Sequence, residues 1–187
     1  MTSVARLVAA GVIAALALAG SEAIARPDIP VFVVVRDYAA VPPDVLRRAT
    51  QLVTDVYRPL GIGIVWVDQD AGALRAGTMR LTMLRRTAGR EDGGRIIGID
   101  AAEHLEPRMH VAHILFQDIG DTGVTAKVLA CVMARLIGGA LQSSGATGSA
   151  TIIRAGRDAA EHLGQGAALF TLEEVKRIQD GALALAR

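Results

Sequence analysis

The sequence predicts an α+β fold: a mixed, twisted sheet of about four or five strands, two long helices and a C-terminal helix. Three observations lead there. Short β-branched runs alternate with segments of helical period in the first half of the chain. One later segment, 124–141, is apolar nearly all round. A capping box then opens an amphipathic helix close to the C-terminus.

Taken in order, Val31–Val35 is a continuous apolar, β-branched run and reads as a buried strand. Val41-Pro42-Pro43-Asp44 follows, with proline at the first turn and an acid at the positive end of a helix. Leu46, Ala49, Leu52, Val53, Val56, Tyr57 and Leu60 recur at helical spacing, and Gly61 sits where a left-handed residue ends a helix. Ile62–Val67 is a second strand, so residues 31–67 form a parallel strand–helix–strand unit. Leu81–Leu84, Ile96–Ile99 and Val111–Phe116 are further strands, the first two separated by a Gly- and charge-rich loop, Thr87–Gly94.

Val124–Leu141 lacks a polar face, and a helix of that kind is buried on most sides. Gln142–Thr151 is a loop of small residues. Thr171-Leu172-Glu173-Glu174 is the capping box, with Phe170 and Val175 placed as a hydrophobic staple. No repeat or linker divides the chain, so residues 26–187 are expected to form a single domain.

The N-terminus carries a separate signal. Arg6 precedes an uncharged apolar run, Leu7–Ala19, and Ala23-Ile24-Ala25 offers a small-x-small cleavage site. This is the pattern of a signal peptide over residues 1–25, and the run is shorter than the roughly 20 residues a membrane span needs; the alternative is an uncleaved N-terminal anchor, with the rest of the chain on the same far side of the membrane. The expected location is therefore periplasmic or extracellular, with no membrane association once the leader is removed.

Composition excludes some partners. A net charge of +1 with dispersed basic residues gives no electrostatic footprint for nucleic acid, and 3% aromatic content leaves few platforms for stacking bases. A single cysteine, Cys131, lies in the apolar helix and reads as a small buried hydrophobe.

Local text adds a resemblance. Phe32-Val33-Val34-Val35-Arg36-Asp37-Tyr38-Ala39-Ala40-Val41-Pro42-Pro43-Asp44-Val45-Leu46, continued by Gly61-Ile62-Gly63-Ile64-Val65-Trp66, resembles the opening of a family of small secreted bacterial zincin-like metallopeptidases. Residues 128–141 and 152–155 resemble the same family's active-site region. The resemblance implies a zincin-like fold. It also implies a helix carrying A-H-E-I-G-H-L-L, whose two histidines bind zinc on one face while the glutamate takes a proton from the zinc-bound water.

The chain departs from that text at each chemical position. It reads Ala134-Arg135-Leu136-Ile137-Gly138-Gly139-Ala140-Leu141. Against the family pattern, Arg135 replaces the first histidine, Leu136 the glutamate and Gly139 the second histidine. The following loop has no histidine, and Thr147 falls where the third ligand is expected. Ile152-Ile153-Arg154-Ala155 resembles the family's methionine turn, with Ile153 for methionine. An arginine cannot ligate zinc, leucine cannot act as a base, and glycine has no side chain. The resemblance therefore implies a pseudoenzyme: no catalytic residue, metal ligand or cofactor at these positions.

Other candidates are weaker. His110 and His113 form an H-x-x-H pair, but on a strand positions i and i+3 point to opposite faces, so a shared metal is not expected. They read as one histidine on each side of an edge strand, where they could touch a bound peptide. His104 and His162 read as surface residues. Ser143, Ser144 and Ser149 lack a nucleophile elbow and a His–Asp partner. Arg135 is the most informative position. On a buried helix a guanidinium must reach solvent or pair, with Asp118 or Asp121 as candidate carboxylates. In the sharper reading, Arg135 sits in the old metal position and holds a peptide carboxylate. The expected function is non-catalytic binding of peptide or protein, with Arg135, His110 and His113 as candidate ligand-binding residues. The alternatives are an active metal-dependent hydrolase with a non-standard site, and a decayed paralogue of an active enzyme.

Overall fold

The computed structural model of the chain describes residues 28–68, 77–86, 95–101, 110–142, 151–164 and 169–186. Among them are six strands and four α-helices. β1 is Ile29–Asp37, α1 Pro43–Tyr57, β2 Ile62–Val67, β3 Met79–Arg85, β4 Ile96–Ala101 and β5 His110–Phe116. α2 is Thr122–Gln142, β6 Thr151–Ala155, α3 Arg157–Gly164 and α4 Leu172–Leu185. The strands form one sheet in the order β2-β1-β3-β5-β4-β6. β1 runs parallel to β2 and β3, and β3 parallel to β5. β4 is antiparallel to both β5 and β6, which makes the sheet mixed.

The β1–α1–β2 unit follows directly from its residues. Pro43 starts α1, where first-turn N–H groups have no helical acceptor and proline's missing N–H costs no bond, and Asp44 lies at the positive end. Val45, Ala49, Val53 and Tyr57 recur at i, i+4 and form the buried stripe. A short 3-10 turn, Arg58–Leu60, then ends at Gly61, whose φ of 70° is a left-handed conformation that glycine adopts without strain. Two polar hooks fix α1 in place. The Tyr57 hydroxyl, fully buried, donates to the Ala134 carbonyl at 2.7 Å, and Trp66 Nε1 donates to Thr54 Oγ1 at 3.1 Å.

The four described helices lie against one face of the sheet. Val31, Val33, Ile62, Ile64, Met79, Leu81, Met83, Ile96, Ala112, Ile114 and Phe116 point from the strands into that core. Burying each of the larger side chains contributes roughly 1.5–3 kcal/mol. α2 is the central element: it is long and apolar enough to cross a membrane, and here it is packed inside the fold. Gly98 on β4 lets it approach closely, since a Cβ there would stand 2.7 Å from Val132 Cγ1 and 3.0 Å from Leu136 Cδ1. α4 crosses α2 as closely, and a Cβ at Gly181 would run into the Leu141 carbonyl. The α4 cap is the anticipated capping box: Thr171 Oγ1 accepts from the Glu174 N–H, and Glu174 Oε2 accepts from the Thr171 N–H.

Three expectations are corrected. The sheet has six strands, because Thr151–Ala155 is not a turn but pairs with β4 over Ile96–Asp100. Its Thr-Ile-Ile run is β-branched, and one antiparallel neighbour suffices to hold it extended. α3, Arg157–Gly164, was not anticipated. β5 is an interior strand between β3 and β4, not an edge. The 1–25 leader, the 87–94 loop and the serine-rich loop with Thr147 lie outside the described residues.

Candidate functional site

The three α2 positions singled out by sequence point in neighbouring directions from one helical turn. Arg135 turns toward α4. Its Nη1 lies 3.0 Å from Glu174 Oε1, and its guanidinium carbon stands 5.3 Å from the centre of the Phe170 ring. The carboxylate partner is therefore Glu174, not Asp118 or Asp121. Those two serve the start of α2 instead: Asp121 accepts from the Val124 N–H at 2.9 Å, and Asp118 from the Thr125 hydroxyl at 3.3 Å. With 41% of its side chain exposed, Arg135 is not a buried lone charge, and a pair this accessible stabilises by about 1 kcal/mol or less.

Leu136 is 1% exposed and packs under Gly98. Gly139 lies over the end of β4, where a Cβ would stand 3.6 Å from Asp100 Oδ2. Asp100 is the polar residue the sequence reasoning missed. It sits in register with Ala112 of β5, so His110, two residues earlier, lies diagonally across on the same face. Asp100 Oδ1 is buried with no hydrogen-bond partner. Burial raises the Asp100 pKa above the ordinary carboxylate value, and the nearby His110 partly offsets this. The only sequence signal was an aspartate ending the apolar run Ile96–Ile99, and such a run does not say which face meets the helices.

His110 and His113 are kept apart. Ala112 and Ile114 face the helices, so His110 shares their side of β5 and His113 projects from the other. No group of three or more His, Cys, Asp or Glu side chains among the described residues is placed to share a metal ion. Cys131 is buried, its Sγ 3.4 Å from the Ala159 carbonyl, and burial pushes its thiol up to about 11.

The charges around Arg135 act on their neighbours. Glu174 is held below the ordinary carboxylate range, first by the Thr171 backbone N–H and then by the Thr171 hydroxyl and Arg135. Tyr57 is raised well above the usual phenol value by burial, with Arg135 working in the opposite direction. Around Arg135 the described groups are thus an ion pair and an aromatic face. No protein-family model, curated protein or solved structure matches the chain.

Proposed function

We propose that the chain is an exported, non-catalytic domain of zincin-like descent that binds peptide or protein beside the C-terminal half of α2. One observation carries the reading. The α2 positions that the zincin pattern reserves for chemistry hold an arginine paired with Glu174, a leucine packed under Gly98 and a glycine facing Asp100. None of these can ligate zinc or accept a proton. The half-exposed Arg135–Glu174 pair over Phe170, with Asp100 and His110 one turn further along, leaves charged and hydrogen-bonding groups for a polar main chain. Because Glu174 already occupies Arg135, a peptide carboxylate would have to displace it. A peptide backbone lying across both charges needs no such exchange.

Two measurements test this. Elemental analysis of the purified protein, with and without added zinc, is expected to find no zinc above background. Near-stoichiometric zinc lost in His110→Ala would instead favour the active hydrolase. Selection from a displayed random peptide library is expected to enrich ligands whose binding weakens in Glu174→Ala and Arg135→Ala. Enrichment of no peptide, or of peptides indifferent to both changes, rejects the binding reading.

A further inference from the structure

The helices cover one face of the sheet; the side chains of the other face pose a separate question. Arg36 of β1, Arg80 of β3 and His113 of β5 all project there, because their strand neighbours Val35, Leu81, Ala112 and Ile114 belong to the helix-covered core. Register places them together. Thr82 is in register with Arg36 on one side and His113 on the other, and Arg80 lies two residues earlier on the Thr82 strand. With strands ~4.8 Å apart and ~6.6 Å between alternate residues, Arg80 is roughly 8 Å from both at the Cα level, within reach of a long side chain.

Two permanent cations and an imidazole thus share one patch. The ion pairs Arg58–Asp55, Arg135–Glu174 and Arg177–Glu173 involve neither Arg36 nor Arg80, and no described carboxylate is paired with them. Arg80 Nε and His113 Nδ1 are both buried and have no hydrogen-bond partner. A buried polar group left unmatched is costly, and in a native fold it calls for a partner from outside. The surroundings are apolar: Val34 and Val111, both nearly fully buried, flank Arg80 in register, and Ile99 lies in register with His113.

We propose that this second face is a binding site for a carboxylate carried on an apolar chain. The carboxylate lies between Arg80 and Arg36, with the His113 Nδ1 beside it, and the chain lies along Ile99 and Leu84. Guanidinium forks match the planar geometry of a carboxylate and bind it with two parallel hydrogen bonds. Ile99 and Leu84, which keep exposed apolar surface on this face, add area for a tail, which a bare inorganic anion could not use. Two arginines on an apolar ground are far fewer than a nucleic-acid backbone requires.

The test is calorimetric titration of the purified protein with sodium octanoate, octanol and inorganic phosphate. Octanoate is expected to saturate a single site and bind more tightly than either control. Arg80→Met is expected to weaken it roughly tenfold or more, the loss of a charge-assisted contact. Without ligand, this variant is expected to melt no lower than the parent, since it removes a buried donor that lacks a partner. Should Arg80→Met not fold, Arg36→Met carries the same expectation for binding. The proposal is overturned if octanoate does not saturate, if octanol or phosphate binds as well, or if both arginine variants bind octanoate like the parent. It is equally overturned if Arg80→Met melts far lower with binding intact, because the guanidinium would then be structural.

Discussion

The helix-covered face and the second face of the sheet carry side chains from the same strands, yet they are built differently. On the covered face, fully buried Val33, Leu81 and Ile114 share one core with side chains of α1 and α2, and the buried Tyr57 hydroxyl has a carbonyl to donate to. On the second face, Arg36, Arg80, Thr82 and His113 interrupt the valines, and two of their polar atoms find no partner. The covered face stabilises the fold. Unmatched polarity gathers on the second face and, on the covered face, at Asp100 Oδ1 beside the C-terminal half of α2; stability alone would remove it, and such exceptions are where binding is sought.

Substitutions on the two faces can break or sharpen this contrast. The largest effect is expected from Gly181→Ala, because its methyl group would collide with the Leu141 backbone and force α4 off α2. A loss of about 3 kcal/mol or more, or failure to fold, is expected in urea denaturation. Leu136→Ala comes next. It empties space between α2 and β4 and is expected to lower stability by about 3 kcal/mol. A loss below about 1 kcal/mol would mean that the α2–β4 contact is loose and the covered face is no true core.

A smaller effect is expected at Glu174. Its folded pKa is depressed, so its share of stability is fully present above the ordinary value of 4.5 and is lost as pH falls through the lower folded value. The parent protein should therefore lose stability on acidification in that window, and Glu174→Gln should lose less there while keeping its cap. Identical acid profiles for the two proteins would show that the Arg135–Glu174 pair and the charged cap do not matter energetically. The smallest effect is expected from Leu84→Ser on the second face. Leu84 is 36% exposed, and the change should stay within about 0.5 kcal/mol by thermal melting. A loss as large as that of Leu136→Ala would erase the distinction between the faces.

Much of the architecture was legible because it rests on local rules. Pro43 and Gly61 bracket α1 and its 3-10 extension, Ile62–Val67 is a strand over its full expected length, and Thr171 and Glu174 form the cap their spacing announces. The apolar circumference of α2 announced its burial. What stayed hidden depends on pairing between distant residues. Thr151–Ala155 became a strand because β4 was there to receive it, and β5 became interior because β4 and β6 lie beyond it. Short runs do not encode their neighbours.

The site divides in the same way. From the sequence alone come the residue types at 135, 136 and 139, none of which can ligate zinc. The tertiary structure alone decided that Arg135 pairs with Glu174, 39 positions away, and not with the nearer Asp118 or Asp121. It also brought Asp100 opposite Gly139, and it gathered Arg36, Arg80 and His113 from three strands onto one face. The physical reason is common to all three. A side chain's charge and its periodicity are local properties, but its partner is fixed only by strand order and by the way α2 and α4 cross, and these are set by packing across the whole core.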